Sequence, residues 1–186
     1  MSMSLDGFIA GPDDGPDNGL GVGGGRLHDW LTEDGKLGRP SSASGEVFDE
    51  LMATGAVVTG RRTFDLARGW DGDHHGVPIF VLTRHDPDGD TARWPLVTYV
   101  DDVATAMARA KEAAGGRDVL VHGARTAQLA LAAGVLDELE IHQIPVLLGQ
   151  GRRLFDNLSP EHIELERTRT LEGEGGVTHM HYRVRR

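Results

Sequence analysis

The 186-residue chain is 39% hydrophobic, enough for a core of its own, and its length predicts one domain over 1–186. It has no cysteine, which excludes a disulfide framework, a thiolate metal site and a catalytic thiol. The formal net charge of −10 argues against a nucleic-acid surface, and neither a run of about 20 apolar residues nor a basic, apolar leader is present, so the chain reads as soluble and cytoplasmic with no membrane partner.

In chain order, "SLDGFIA" (4–10) reads as a strand entering a loop. Residues 11–25 and 35–45, rich in Gly, Asp and Pro, read as surface loops, and "RLHDWL" (26–31) as the start of a short helix whose Trp30 either closes over a bound ring or anchors the loop. Short apolar runs then alternate with amphipathic stretches. "AVVTG" (56–60), "PIFVLT" (78–83), "LVTYV" (96–100) and "DVLVHG" (118–123) are predicted strands covered on both faces, the habit of a parallel sheet. "SGEVFDELMAT" (44–54), "TFDLAR" (63–68), "DDVATAMARAKEAA" (101–114) and "ARTAQLALAAG" (124–134) are the predicted helices, the third capped by Asp101 and Asp102 and closed by Gly115 and Gly116. From Leu136 the pattern changes to a long strand (136–149) and a hairpin (163–186) turning at 173–176. The expected fold is α/β, a mostly parallel central sheet between helices with an antiparallel C-terminal hairpin.

Gly19, Gly21 and Gly24 form a GxGxxG, the spacing of a dinucleotide fingerprint. That fingerprint must follow a strand and open a helix, with an acid ending a second strand about 20 residues on. Here "AGPDDGPDN" precedes it and the loop "LGRPSSASG" (37–45) stands where the acid belongs, so the match is one of spelling alone. A better-placed anion site is "AVVTGRRTFD", a strand that stops at Gly60 and opens a helix beside Arg61 and Arg62. A second turn of this kind, "VLVHGARTAQ", sets Gly123 and Ala124 at a helix start beside Arg125. Two such turns from one sheet can grip one dinucleotide; ordinary βα turns without a ligand are the alternative.

The segments "SLDGFIAG", "VVTGRRTFD", "IFVLTR", "VLVHGA" and "AGVLDELEIHQIPVLLGQGRRLF" resemble the dihydrofolate-reductase-like superfamily, and within it the reductase domain of riboflavin-biosynthesis enzymes and its stand-alone relatives. The resemblance runs from about Ser4 to the C-terminus, and its last segment is the most specific. It implies a three-layer αβα fold, NADPH as hydride donor, a small-molecule substrate and a homodimer. It puts Gly60, Arg61, Arg62 and Thr63 on the NADPH phosphates and Leu82, Thr83 and Arg84 around the adenosine 2′-phosphate. Gly123, Ala124, Arg125 and Thr126 then approach the pyrophosphate, while Ile9 and Ala10 lie near the nicotinamide. The glycines of 17–26 fall in a loop over the nicotinamide, where they would give movement and leave the loop loosely ordered without ligand.

The sequence departs from that family at several points. His122 precedes Gly123 where a second glycine is usual, and the apolar run before "SLDGF" is short. In true dihydrofolate reductases the helix before "GRRT" carries a pterin-binding carboxylate four residues ahead of an aromatic; counting back from Gly60, these positions are Ser44 and Phe48. Helical phase agrees independently, because Val47, Phe48, Leu51 and Met52 define an apolar stripe that includes Ser44 and turns Glu46, Asp49 and Glu50 away. A neutral hydroxyl cannot make the charge-assisted pair with a pterin amidine, which weighs against folate. Ser44 reads either as pocket-facing or as a helix N-cap, and Phe48 as substrate platform or plain core.

His179 and His181 share a strand face but lack a third metal ligand, and "DGDHHG" (71–76) lacks metal-loop spacing. Asp6 reads as a turn residue beside Gly7. No GxSxG elbow and no zinc deaminase signature is present. The expectation is an NADPH-dependent reductase acting on a C=N or C=O carbon of a small heterocycle, of the 5-amino-6-(5-phosphoribosylamino)uracil reductase type and with no metal. Its alternatives are a reductase of dihydrofolate or another small molecule, and a nucleotide-binding protein without turnover.

Overall fold

The computed structural model describes residues 1–33, 36–85, 94–158 and 161–185. These fall into two compact units, Met1–Leu51 with Leu136–Arg186, and Met52–Val135. The chain starts as β1 (Ser2–Ser4), turns at Leu5, Asp6 and Gly7, and extends again as β2 (Phe8–Ala10), which corrects the single strand expected over 4–10. The Asp-Gly pair causes the break: Gly7 adopts φ +89°, and its N–H donates to the Ser4 carbonyl. A 3-10 helix (Gly24–Leu31), the short strands β3 (Thr32–Glu33) and β4 (Lys36–Leu37), and α1 (Ser42–Met52) follow.

The second unit runs β5 (Ala56–Gly60), α2 (Arg61–Leu66), β6 (Ile79–Leu82), β7 (Val97–Val100), α3 (Val103–Ala114), β8 (Val119–His122) and α4 (Ala124–Ala132). All four strands are parallel in the order β7-β6-β5-β8. Successive β5 side chains face opposite sides, and both sides are dry. Ala56 and Val58 pack with Phe80, Ala106 and Met107, whereas Val57 packs with Phe64, Ile79 and Val81. Each buried valine contributes about 1.5–3 kcal/mol, which is why an uninterrupted apolar run settles here as an inner strand. The α3 start is fixed by Asp102, whose carboxylate accepts from the Thr105 N–H at 2.7 Å.

The first unit resumes with β9 (Glu138–Ile144), β10 (Arg152–Arg153), β11 (Leu165–Glu172) and β12 (Thr178–Val184). Its sheet has the order β1-β9-β12-β11, with β1 parallel to β9 and the other pairs antiparallel. The strand expected over 136–149 ends at Ile144, because Pro145 has no N–H to continue the ladder. The hairpin turns at Gly173 and Glu174–Gly176, as its glycines predict. The fold is thus mixed α/β, with the expected parallel sheet and antiparallel hairpin. Among the described residues, no helix is long and apolar enough to cross a membrane.

Candidate functional site

In the second unit the strand register lines up three of the predicted segments. Gly60 is opposite Leu82 and Thr59 is opposite His122, so the turns Gly60–Thr63, Leu82–Arg84 and Gly123–Thr126 leave the same edge of the sheet from adjacent strands. Helices α2 and α4 begin immediately after Gly60 and Gly123, and the first N–H groups of a helix have no partner within it. The Gly60 turn and its neighbour at Gly123 interlock. A Cβ on Gly60 would lie 2.9 Å from the Thr126 hydroxyl oxygen, and one on Gly123 would lie 2.4 Å from that of Thr63. Each glycine therefore admits the threonine of the other turn, and Thr126 is only 1% exposed.

Arg62, Arg84 and Arg125 are exposed at this edge, and Arg61 is half-buried. The Arg61 Nε–H donates to both Asp65 oxygens, at 2.8 and 2.9 Å, which uses Nε and not the two terminal Nη groups. Its guanidinium lies 5.9 Å from the Tyr99 ring centroid. Thr83 closes its own turn, its hydroxyl accepting from the His85 N–H and donating to the His85 carbonyl.

The remaining predicted residues lie in the first unit. Ile9 and Ala10 are buried on β2, which pairs with β10. Around them the segments "SLDGFIAG" and "AGVLDELEIHQIPVLLGQGRRLF" hold each other. The Asp6 carboxylate accepts from the Ser4 hydroxyl at 2.6 Å, the Leu148 N–H at 3.1 Å and the Gly149 N–H at 2.7 Å. The Arg153 guanidinium donates to the Asp6 carbonyl and lies 4.4 Å from the Phe8 ring centroid, while Arg152 pairs with Asp14 at 3.0 Å. Asp6 thus does more than shape the turn assigned to it from sequence. Its hydrogen bonds, that from Ser4 foremost, pull its pKa down to about 2.

The 17–26 segment corrects the loosely held loop expected of it. Gly11 N–H donates to the Leu20 carbonyl and Val22 N–H to the Pro12 carbonyl, each at 2.8 Å, and Gly21 N–H donates to the Asn18 carbonyl at 2.9 Å. A Cβ on Gly21 would fall 2.3 Å from the Gly11 carbonyl oxygen, so this glycine serves a close backbone crossing and no phosphate cradle is implied.

Ser44 lies on the inner face of α1, as helical phase predicts, with Glu46, Asp49 and Glu50 exposed; Phe48 is half-buried and Met52, expected in the stripe, is exposed. The helix begins at Ser42, so Ser44 is inside it and is not its N-cap. Its hydroxyl is 1% exposed and hydrogen-bonds His179 Nε2 at 2.9 Å, while His179 Nδ1 meets His142 Nδ1 at 2.9 Å. Trp30 packs its ring on both imidazoles and donates from Nε1 to the Ser2 hydroxyl at 2.9 Å, which is the anchoring role. It also lines a cavity of about 450 Å³ with Ser41, Ile144, Glu174 and Val177. His181 turns to Glu138 instead. Among the described residues, no group of three or more ligating side chains is placed to hold a metal ion.

These groups set the pH dependence of stability. Burial pushes His142 well below its ordinary 6.5 and also lowers His179 and His28, and it takes His74 of the second unit to about 4. A histidine with a lowered folded pKa contributes stability above the unfolded value that is lost as pH falls below it. The midpoint of thermal unfolding should therefore drop as pH falls from 6.5 towards 4. Asp6 acts in a lower window: its contribution is complete above the ordinary carboxylate value of 3.8 and disappears as pH falls through about 2. Asp6→Asn should lower the melting temperature at pH 7 and approach wild type only at the acid end; equal melting curves at pH 7 would contradict the clamp.

Sequence reading missed the clamp between Asp6 and residues 148–149 and the partner of Ser44, since each joins residues more than 130 positions apart. The visible signals were an aspartate before glycine and a hydroxyl on an apolar stripe.

Comparison with known proteins gives the same family. A protein of Shewanella sp. PV-4 described as a candidate riboflavin biosynthesis protein superposes with a TM-score of 0.68 at 24% identity, covering 99% of this chain and 96% of that one. A pyrimidine reductase-like protein of Corynebacterium diphtheriae gives 0.54 at 14% identity, covering 83% and 86%. The RibD of Acinetobacter baumannii gives 0.62 at 16% identity over 99% of this chain, which spans 56% of that longer protein. At these identities the likeness is one of fold. No curated protein matches the sequence. The RibD C-terminal domain family matches residues 1–178, and the chain belongs to that family of reductase-like domains.

Proposed function

We propose that the protein is an NADPH-dependent reductase of the riboflavin-pathway type, which reduces the ribosylamino side chain of a pyrimidine to a ribitylamino one. The observation that carries this reading is the row of three turns on one sheet edge, with Arg61, Arg62, Arg84 and Arg125 distributed over them. The donor set fits a phosphorylated dinucleotide: guanidinium groups pair well with phosphate oxygens, and two helix starts add N–H donors and the positive end of a dipole. The Gly123 turn would take the pyrophosphate, and Arg61, Arg62 and the Gly60 turn, together with Arg84, the adenosine 2′-phosphate. NADPH supplies the hydride, and the chain supplies orientation. The three turns would hold the cofactor so that its hydride would be available to the C=N carbon of the opened sugar, and the nitrogen would take its proton from water.

Oxidation of NADPH with the ribosylaminopyrimidine, followed by loss of nicotinamide absorbance, tests the substrate. Turnover is expected with that substrate and not with dihydrofolate; the reverse preference would overturn the assignment.

A further inference from the structure

Two features left over from the sequence, the histidine before Gly123 and the "DGDHHG" loop, belong together. His122 Nε2 lies 3.2 Å from His74 Nε2, His74 Nδ1 meets His75 Nδ1, and His75 Nε2 lies 3.2 Å from the Thr54 carbonyl oxygen. Trp70 packs on His74 and on His122, with ring centroids 4.8 and 5.5 Å apart. A carbonyl can only accept, and each neutral imidazole has one donor and one acceptor. His75 Nε2 also lies 3.1 Å from the Thr54 hydroxyl oxygen, and only its N–H form is attracted to both that oxygen and the carbonyl, which polarises the whole chain: His75 carries its proton on Nε2, His74 on Nδ1, and His122 donates from Nε2 to His74. Its first imidazole sits on the last residue of β8, directly before the turn that opens α4.

The loop that carries the other end is under backbone strain. Arg68, Trp70, Asp71 and His75 all have positive φ, between 49° and 53°, a conformation that is strained for a side-chain-bearing residue and persists only when its surroundings impose it. The titratable neighbours of His74 are His75 and Asp73 of its own loop, and burial, the largest influence on it, keeps it neutral near pH 7. A neutral, directional chain on a strained segment is a rigid brace.

We propose that His122 is a positioning residue: through His74, His75 and the Thr54 carbonyl it fixes the backbone of the Gly123 turn, and with it the affinity of that turn for a nucleotide pyrophosphate. This rests on the nucleotide site proposed above. His74 itself touches no ligand in this scheme and acts only through His122.

The test measures NADPH affinity by nicotinamide fluorescence for wild type, His74→Ala, His74→Gln and His122→Phe, with imidazole ¹⁵N spectra of the ligand-free wild type. His74→Ala should weaken NADPH about five- to twentyfold, a coupling of ordinary size for residues in one network. His122→Phe keeps the ring against Trp70 but removes the N–H, and should do the same, so the test stands if His74→Ala fails to fold. His74→Gln, whose amide oxygen can accept from His122 and whose amide nitrogen can donate to His75, should stay within about threefold of wild type. The spectra should show Nε2–H on His122 and His75 and Nδ1–H on His74. Wild-type affinity in both chain-breaking variants, equal weakening in the Gln variant, or other tautomers would overturn the proposal. Failure of wild type to bind NADPH would overturn the nucleotide site as well, whereas binding with unaffected variants would overturn the brace alone.

Discussion

Gly123→Ala is expected to destabilise the second unit strongly, by about 3–5 kcal/mol, measured by urea unfolding. Two causes add. The residue sits at φ +90°, which an L side chain adopts only under strain, and its new Cβ would lie 2.4 Å from the Thr63 hydroxyl oxygen. Adding Thr63→Ala should recover the steric share and leave the backbone share, because Thr63 Cβ is a tolerable 3.4 Å away. Gly115→Ala provides the comparison. That glycine also has positive φ, +62°, but no atom lies within 4 Å of its Cβ position, so its replacement should cost about 1 kcal/mol. Equal losses at the two positions would contradict the interlocked turns. The change should also impair nucleotide binding, since Gly123 and Thr63 belong to two of the three turns in the proposed site.

The second large effect is on cofactor choice. Arg61→Ala combined with Arg62→Ala should raise the Kd for NADPH about 10- to 100-fold, the size of one or two charge-assisted hydrogen bonds, and raise that for NADH much less. Loss of the Arg61–Asp65 pair confuses this little. Both side chains are substantially exposed, and such i,i+4 pairs contribute only a few tenths of a kcal/mol. Equal weakening of the two cofactors would remove the 2′-phosphate from this part of the site.

The architecture was legible where burial acts on consecutive residues. "AVVTG" is β5 residue for residue, and the four helices appear within two residues of the expected starts, because apolar runs and capping residues are local signals. The errors came where a local signal was outvoted. The Asp6-Gly7 pair is itself a turn signal, yet the apolar residues on either side suggested an unbroken strand. Pro145 likewise ended β9 inside an apolar run. The GxGxxG at 19–24 was set aside on context, and the role the structure gives its Gly21 and Gly24, letting backbone segments cross at close range, depends on Gly11 and could not be read from spacing.

At the site, the sequence carried the residue types and the turns, and the register then set them side by side. What it could not carry was which polar groups spend their hydrogen-bonding capacity on one another. Ser44 was placed on the correct face of its helix, but its partner His179 lies 135 residues on. His122 stood out as a departure from the family pattern, and only the fold brings it to His74, 48 residues earlier. Long-range polar pairs of this kind leave no periodicity, since each member looks locally like a surface residue or an accident.

The arginine-bearing sheet edge should bind a phosphorylated nicotinamide nucleotide, and every role proposed for its turns depends on that. Titration of the folded protein with NADPH, followed by the fluorescence of the reduced nicotinamide, should saturate well below about 1 mM and show weaker binding of NADH. A folded protein that leaves NADPH unbound at about 1 mM would contradict it.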